Sequence, residues 1–457
     1  MSLIATDQLK IIIGLGVTGL SCAKLLARKN VRFMVLDTRK NPANLSQFKQ
    51  LFPDVKLLLG ELDRELLATA SEIILSPGIA KDDPAIVYAQ QKGAVLIGDI
   101  DLFCREVNAP IIAITGSNAK TTVTTLVGEM ASRSGLQVGV GGNIGLPVLD
   151  FLEQPEKDVY VLELSSFQLE TTHELRADVA TILNLTPDHL DRYSNDFRQY
   201  HLAKHRIFKG CKTVVENLDD LLTHPLVNKN VKVVGYRLGL SDFNVFGLMQ
   251  VKDADSGEPK EFLALAKEPL MATERIKLPG RHNIVNALAA LSIGYLAGFD
   301  MQSMLNAVAD FSGLEHRCQR VASKAGVDYF NDSKGTNVGA TVAALQGLGG
   351  TLEVGQGVIL IAGGDSKGAC FKALRVPVAQ YVKTVVLIGS DAQKIASVIE
   401  NDSSVIFASN MQEAVDKSAT LASKGDIVLL SPACASFDMF DNYAHRGDVF
   451  SAAVKQL

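Results

Sequence analysis

The chain has 457 residues, 47% of them hydrophobic, and its 45 basic and 50 acidic side chains give a net charge of −5. That length predicts two to four domains with sizeable cores, and the charge balance argues against nucleic acid as the main partner. Six cysteines (Cys22, Cys104, Cys211, Cys318, Cys370 and Cys434) lie far apart with no CxxC pair, which argues against a disulfide scaffold or a zinc site and fits a reducing cytoplasm.

At the N-terminus no basic stretch precedes an apolar run and a cleavage site, so no export signal is expected. The first predicted strand, "LKIIIGLG", runs straight into Gly14, Gly16 and Gly19, a GxGxxG turn that opens a helix. A second strand, "VRFMVLD", ends in Asp37 about 20 residues further on. Three readings share this pattern: a nicotinamide cofactor, another nucleotide diphosphate, or a glycine turn that only packs helix on strand. "EIILSPG" is the next strand.

A new α/β unit opens at "APIIAITG", followed by the loop "SNAK" and the helix "TTVTTLVGEMASRSG". A loop between strand and helix aims backbone N–H groups at an anion. Lys120 can reach outer phosphates and the Thr121 hydroxyl can ligate Mg²⁺. Ala119 stands where such loops usually carry glycine, which requires either a negative φ or tolerated strain. Glu163 interrupts the apolar strand "VYVLELSS" near its end. It reads either as the acidic metal partner of the loop or as an exposed edge position. "VATILNLTP" then leads to Asp188 and His189, where the histidine is either solvated or a ligand.

In the following helix Phe197, Tyr200, Lys204, Ile207 and Phe208 share one face, so Lys204 falls in an apolar stripe. Either its amine snorkels to water, or it is held inside with a lowered pKa and could add CO₂ to become an anionic carbamate. Residues 235 to 280 are less regular and predict an edge hairpin or surface excursion, with a polar stretch "KDADSGEPKE". "IVNALAALSIGYLAGF" has only 16 residues, too few for a membrane span, and predicts a buried helix. "GVILIAGG", "KTVVLIGS" and "DIVLLSPA" are the last predicted buried strands. Apolar strands alternating with helices predict parallel sheets with ligands at the C-terminal strand edges. The boundaries are set at 1–98, 99–312 and 313–457.

In order along the chain, "TGSNAKTT", "GGNIG", "LELSSFQLE", "NLTPDHLDRY", "AKHRI", "GRHNIVNALAAL", "GLEHR", "NDSKGTN", "GGDSKG" and "SPACASFDMF" together resemble the Mur ligases, ATP-dependent enzymes that add amino acids to the peptidoglycan precursor. The likeness covers essentially the whole chain. It implies a Rossmann-like N-terminal domain, a P-loop ATPase-like central parallel-sheet domain and a Rossmann-like C-terminal domain. "SSFQLE", "SPACASFDMF" and the "GLGVTGLS" start look like the members that join D-glutamate to UDP-N-acetylmuramoyl-L-alanine through an acyl phosphate, in the cytoplasm. A monomer with no membrane insertion is expected.

By the same resemblance the first domain holds the UDP-sugar rather than NAD, at Val17, Thr18, Asp37, Thr38 and Arg39, with Gly78, Asn143, Ser165 and Gln168 lining the path to the P-loop. Gly116, Ser117, Asn118, Ala119, Lys120, Thr121 and Thr122 would bind ATP, with Asn283, Asn286, Arg317, Asp332 and Lys334. From the residues alone, Asn283 and Asn286 could equally be helix caps. Thr121, Glu163, His189 and a carbamylated Lys204 would organise two Mg²⁺ ions, and Lys120, Glu163, His189 and Lys204 would carry catalysis. Thr336, Lys367, Ser436, Phe437 and Tyr443 would bind D-glutamate. The residues around Ser436 and Phe437 could alternatively be a tight strand-to-helix turn.

Overall fold

The computed structural model describes residues 9–253, 257–278 and 280–457. Residues 254–256 of the polar stretch and residues 1–8 of the N-terminus lie outside the described residues, so the readings made on them end there.

Three sheets form in succession. The first contains β1 (Lys10–Ile13), β2 (Phe33–Asp37), β3 (Leu57–Leu59), β4 (Glu72–Leu75) and β5 (Val95–Ile97), in the order β3-β2-β1-β4-β5. Every pairing in it is parallel. The second contains β6 (Ile111–Thr115), β7 (Val138–Gly142), β8 (Val159–Glu163), β9 (Val179–Ile182), β10 (Thr213–Asn217), β11 (Lys232–Leu240), β12 (Val245–Lys252), β13 (Pro259–Leu265) and β14 (Glu268–Ala272). Their order is β14-β13-β12-β11-β10-β9-β6-β8-β7. The antiparallel ribbon β12-β13-β14 is the irregular stretch expected there, and it extends the parallel sheet at one edge. The third contains β15 (Gln319–Lys324), β16 (Val327–Asn331), β17 (Val358–Gly363), β18 (Val382–Ile388), β19 (Ser404–Phe407) and β20 (Ile427–Leu430), in the order β15-β16-β20-β17-β18-β19. Only β15 runs antiparallel in it.

Near-continuous apolar strands form because both faces of each sheet are covered. In β6, Ile111 and Ala113 enter one hydrophobic cluster while Ile112 and Ile114 enter another. Successive side chains point to opposite faces, so a strand of this kind must be apolar throughout. β17 repeats the arrangement, with Leu360 and Ala362 on one side and Ile359 and Ile361 on the other. The glycine turn after β1 is set by sterics. Gly14 has φ +99°, and a Cβ on Gly19 would stand 1.8 Å from the Gly14 carbonyl oxygen, so neither position accepts a side chain.

Ile12, Leu20 and Leu26 share one core cluster with Phe103, Phe151 and Tyr160. The first and second sheets are therefore joined by apolar packing, with Phe103 edge-on to Tyr160 at 5.0 Å. The clusters of the third sheet draw only on residues from Cys318 onward. That sheet's unit meets the second through polar side chains and through the helix Val338–Gly349, where Gly347 packs against His282 of the helix Arg281–Ala297. No helix among the described residues is long and apolar enough to cross a membrane.

Candidate active site at the junction of the sheets

The phosphate loop begins where β6 ends. Ser117 N donates to Asn184 O at 2.9 Å, and Asn118 N to Asn184 Oδ1 at 2.8 Å, which pins the loop to the end of β9. Ala119 caps the helix Lys120–Arg133 in the left-handed region, with φ 65° and ψ −5°. Of the two alternatives for this alanine, the structure adopts the strained one. Lys120 Nζ folds back onto its own loop, donating to Gly116 O at 2.9 Å and Ser117 O at 3.0 Å. Burial lowers its pKa, against the opposing pull of Glu163 and Asp188. Thr122 is buried in the first turn behind it.

Glu163 ends β8, which lies between β6 and β7. It is 1% exposed, so the edge-position reading falls. Its oxygens accept from Thr121 Oγ1 at 2.7 Å and from Asn143 Nδ2 at 2.8 Å. Both partners are neutral. A buried carboxylate whose hydrogen-bond partners are a hydroxyl and an amide fits a cation. The hard oxygen donors of Thr121 and Glu163 suit Mg²⁺.

Lys204 is 2% exposed, and its Nζ donates to Thr115 Oγ1 at 3.0 Å. The snorkelling alternative is thus corrected: Tyr200 and the loop close the route to water. Burial, and then the charge of Lys120, push the amine well below its ordinary pKa, which favours its neutral form. His189 sits at φ 51° with its ring 5.0 Å from Phe167. Burial lowers its pKa, and Lys120, Lys367 and Lys204 act in the same direction. His189, Ala119 and Lys367 all hold positive φ, a kind of backbone strain that concentrates at working sites.

The third sheet closes the site. Arg317 Nη2 donates to Thr121 Oγ1 at 2.5 Å. Asp332 is buried, accepting from Ser431 Oγ at 2.7 Å and Cys318 N at 3.2 Å, and burial raises its pKa to about 6. Lys334 Nζ lies 3.9 Å over the Tyr443 ring. Burial, with Arg317 and Lys120 adding to it, lowers its pKa to about 8. Asn283 and Asn286 lie in the first turns of the helix Arg281–Ala297, 3.2 Å apart. The cap position belongs to Gly280, so the capping alternative is set aside.

Among the D-glutamate candidates, Lys367 Nζ stands 5.5 Å over Phe437. Phe437 is exposed while Ser436 is buried. Both sit in a loop of 12 residues, from 431 to 442, between β20 and the last helix, which is not a tight turn. Thr336 follows the end of β16, where its N–H donates to Lys334 O at 2.8 Å.

Val17, Thr18, Asp37, Thr38, Arg39, Gly78, Asn143 and Gln168 all line one cavity of about 470 Å³. Ser165 joins them through Gln168: its backbone N–H and its Oγ pair with that side chain in a reciprocal helix cap. Asp37 is 1% exposed, yet both its oxygens already hold protein donors, Leu15 N at 2.6 Å and the Arg39 N–H and guanidinium. Burial pushes its carboxyl up, but those hydrogen bonds more than offset this and hold it below the usual range. A second hollow, of about 580 Å³ between Lys372, Val376 and Val398, gathers none of the motif residues.

Sequence reasoning missed two polar contacts. Asn337 Nδ2 crosses from the third sheet to Asn118 Oδ1 at 3.1 Å and Asp188 Oδ2 at 3.2 Å. Arg192 Nη2 reaches Ile79 O of the cavity wall at 2.7 Å. No local pattern announced either one.

Three stretches match the families described as the MurD-like N-terminal domain (residues 8–98), the Mur ligase middle domain (114–294) and the Mur ligase glutamate ligase domain (316–434). The chain belongs to the Mur ligase family. It is 50% identical to a protein of Pseudomonas syringae pv. tomato over 100% of both chains, and 49% identical to one of Pseudomonas aeruginosa over the same span. Both relatives are named UDP-N-acetylmuramoylalanine–D-glutamate ligase. Its fold matches that of a pseudomurein peptide ligase type C from Methanothermus fervidus, with a TM-score of 0.59 at 19% identity over 98% of this chain and 100% of that one.

Proposed function

We propose that the protein joins D-glutamate to UDP-N-acetylmuramoyl-L-alanine at the expense of ATP, in peptidoglycan precursor synthesis. One observation carries the reading. Asn143, which lines the 470 Å³ cavity, donates to the same Glu163 that accepts from Thr121 of the phosphate loop. The cavity therefore abuts the place where a γ-phosphate would lie, and the first cavity takes the nucleotide sugar.

A carboxylate is a poor electrophile, so it must be activated. The terminal L-alanine carboxylate attacks the γ-phosphorus of ATP and ADP departs, leaving an acyl phosphate. The D-glutamate ammonium gives up one proton to solvent, and its amine attacks the acyl carbon and releases a second proton as the C–N bond forms. The tetrahedral intermediate then expels phosphate and leaves the amide. Lys120 and Arg317 neutralise charge as it builds on the transferred group, which is the main task in phosphoryl transfer. His189, whose pKa burial lowers, orients the carboxylate rather than acting as a firm general base. Lys367, Thr336, Ser436, Phe437 and Tyr443 receive the amino acid.

Thr121 and Glu163, with His189, would hold Mg²⁺, which when bound supplies charge neutralisation between phosphate oxygens. Two ions fit a site where Lys204 is carbamylated. Burial favours the unprotonated amine, the form that adds CO₂, and the product would be an anionic oxygen ligand beside Thr115.

Release of inorganic phosphate from ATP, measured with each substrate omitted in turn, tests the reading. Release that requires both UDP-N-acetylmuramoyl-L-alanine and D-glutamate is expected. Release indifferent to either one overturns it.

A further inference from the structure

Arg446 is 1% exposed, among the largest fully buried side chains of the protein. It lies in the first turn of the last helix, Tyr443–Gln456. Its Nε donates to Ser333 Oγ at 3.0 Å and its Nη2 to Ser333 O at 2.7 Å. Its Nη1 donates to Cys434 O at 3.1 Å and Ala435 O at 3.3 Å. All four acceptors are neutral. Asp332 and Asp438 act on it only through space. Asp332 is taken by Ser431 and Cys318 N, and Asp438 by Ser390 N. Burial lowers the guanidinium pKa to about 10, so it stays charged at neutral pH.

A buried cation without a bonded carboxylate is costly, and an apolar side chain of similar volume would avoid that cost. Folding alone does not explain it. Its acceptors belong to two loops far apart in sequence, after β16 and after β20. The first carries Lys334 and Thr336, the second Ser436 and Phe437. Tyr443 is tied to the same point, its carbonyl accepting from Ser333 Oγ at 2.7 Å. A planar fork with fixed donor directions sets the spacing of three segments at once, which a single ammonium cannot do.

We infer that Arg446 is a positioning residue for the amino-acid substrate: it fixes the two loops against each other and leaves at their join a positive charge that a dicarboxylate offsets and a monocarboxylate does not. This rests on the reading above that these loops receive D-glutamate. In the low-dielectric interior such a charge acts beyond contact distance.

The test uses the full-length enzyme with Arg446→Lys, Arg446→Met and Ser333→Ala, and Ser436→Ala as a control, each characterised by KM for all three substrates and by thermal melting. Arg446→Lys is expected to raise KM for D-glutamate about tenfold and Arg446→Met roughly a hundredfold, with KM for ATP and nucleotide sugar within about twofold. The preference for D-glutamate over a D-amino acid with an uncharged side chain should fall in step. If Arg446→Met does not fold, Arg446→Lys and Ser333→Ala decide, since the first keeps the charge and the second keeps the whole fork. All three KM values rising together, or KM for D-glutamate unchanged while Ser436→Ala raises it, overturns the inference alone. An unchanged KM for D-glutamate in Ser436→Ala as well overturns the site assignment beneath it.

Discussion

The two joints of this molecule are built from opposite materials. Between the first and second sheets the join is mainly dry, a cluster that takes in Leu20, Leu26, Phe103 and Tyr160, with a few hydrogen bonds beside it such as Ser21 Oγ to Asp150 Oδ1 and Arg192 Nη2 to Ile79 O. Between the second and third the ties at the site are hydrogen bonds, Arg317 to Thr121 and Asn337 to Asn118 and Asp188, with Gly347 packed against His282 further out. Opening the dry joint exposes aromatic surface at about 25 cal/mol per Å². Opening the polar one exchanges protein partners for water or phosphate at a net cost of only about 1 kcal/mol per bond. The cavity proposed for the nucleotide sugar sits with the apolar joint, and the proposed phosphate chemistry with the one whose bonds can be exchanged.

The sharpest way to break this comparison is to remove the buried lysine beside the phosphate loop. Lys204→Ala should lower kcat/KM by a factor on the order of 100 or more. Melting should change little beyond the loss of packing by one buried side chain. Added formate or acetate should restore part of the rate, because a small carboxylate refills the position of an anionic oxygen ligand. Metal binding that survives with no such rescue would rule out the carbamate.

How much of this was visible beforehand depended on distance along the chain. The phosphate loop was legible because strand, loop and helix are contiguous, and Lys204 because its helix face is periodic. Glu163 could be picked out as a polar break in an apolar strand, though only the strand order made it interior. The glycine turn left three readings open, a nicotinamide cofactor, another nucleotide diphosphate or a packing turn, since the same N–H geometry serves several. Arg446 and Asn337 left no trace. Ser333, which Arg446 holds, and Asn118 and Asp188, which Asn337 reaches, lie more than 100 residues away from them, and nothing local marks a surface-type residue as a hub.

The dry joint carries flaws, two buried carboxylate oxygens of Asp99 and Asp101 with no hydrogen-bond partner, and the first of them sharpens the comparison further. Asp99, in the helix Asp99–Cys104 that connects the first two sheets, is 4% exposed, and its Oδ1 has no hydrogen-bond partner. Burial raises its pKa to about 6 from 3.8, with Asp101 adding to it and Gln168 and backbone N–H groups opposing. The folded protein therefore binds this proton more tightly than the unfolded chain. The resulting destabilisation is absent below pH 3.8, grows as pH rises, and is complete above pH 6. A shift of that size corresponds to about 3 kcal/mol at most. Asp99→Asn should stabilise the protein by about 1–2 kcal/mol in urea unfolding at pH 8, and by roughly half that at pH 5. A gain that grows as pH falls would contradict this account.

The smallest expected effect lies at the polar joint itself. Ala119 holds φ 65° at the N-cap of the phosphate-loop helix, a conformation that costs an L-residue roughly 1–2 kcal/mol. Glycine removes that cost but brings about 0.5–1 kcal/mol of extra backbone entropy to lose on folding. The difference favours Ala119→Gly by about 0.5–1 kcal/mol, which corresponds to a rise of about 2 °C in the melting midpoint for a unit of this size. The gain should persist in the Lys204→Ala background, because backbone strain at residue 119 does not depend on the charge at residue 204. A lower midpoint would mean that the loop adopts negative φ at this position. The backbone N–H groups would then point elsewhere, and the anion site would have to be redrawn around Lys120 alone.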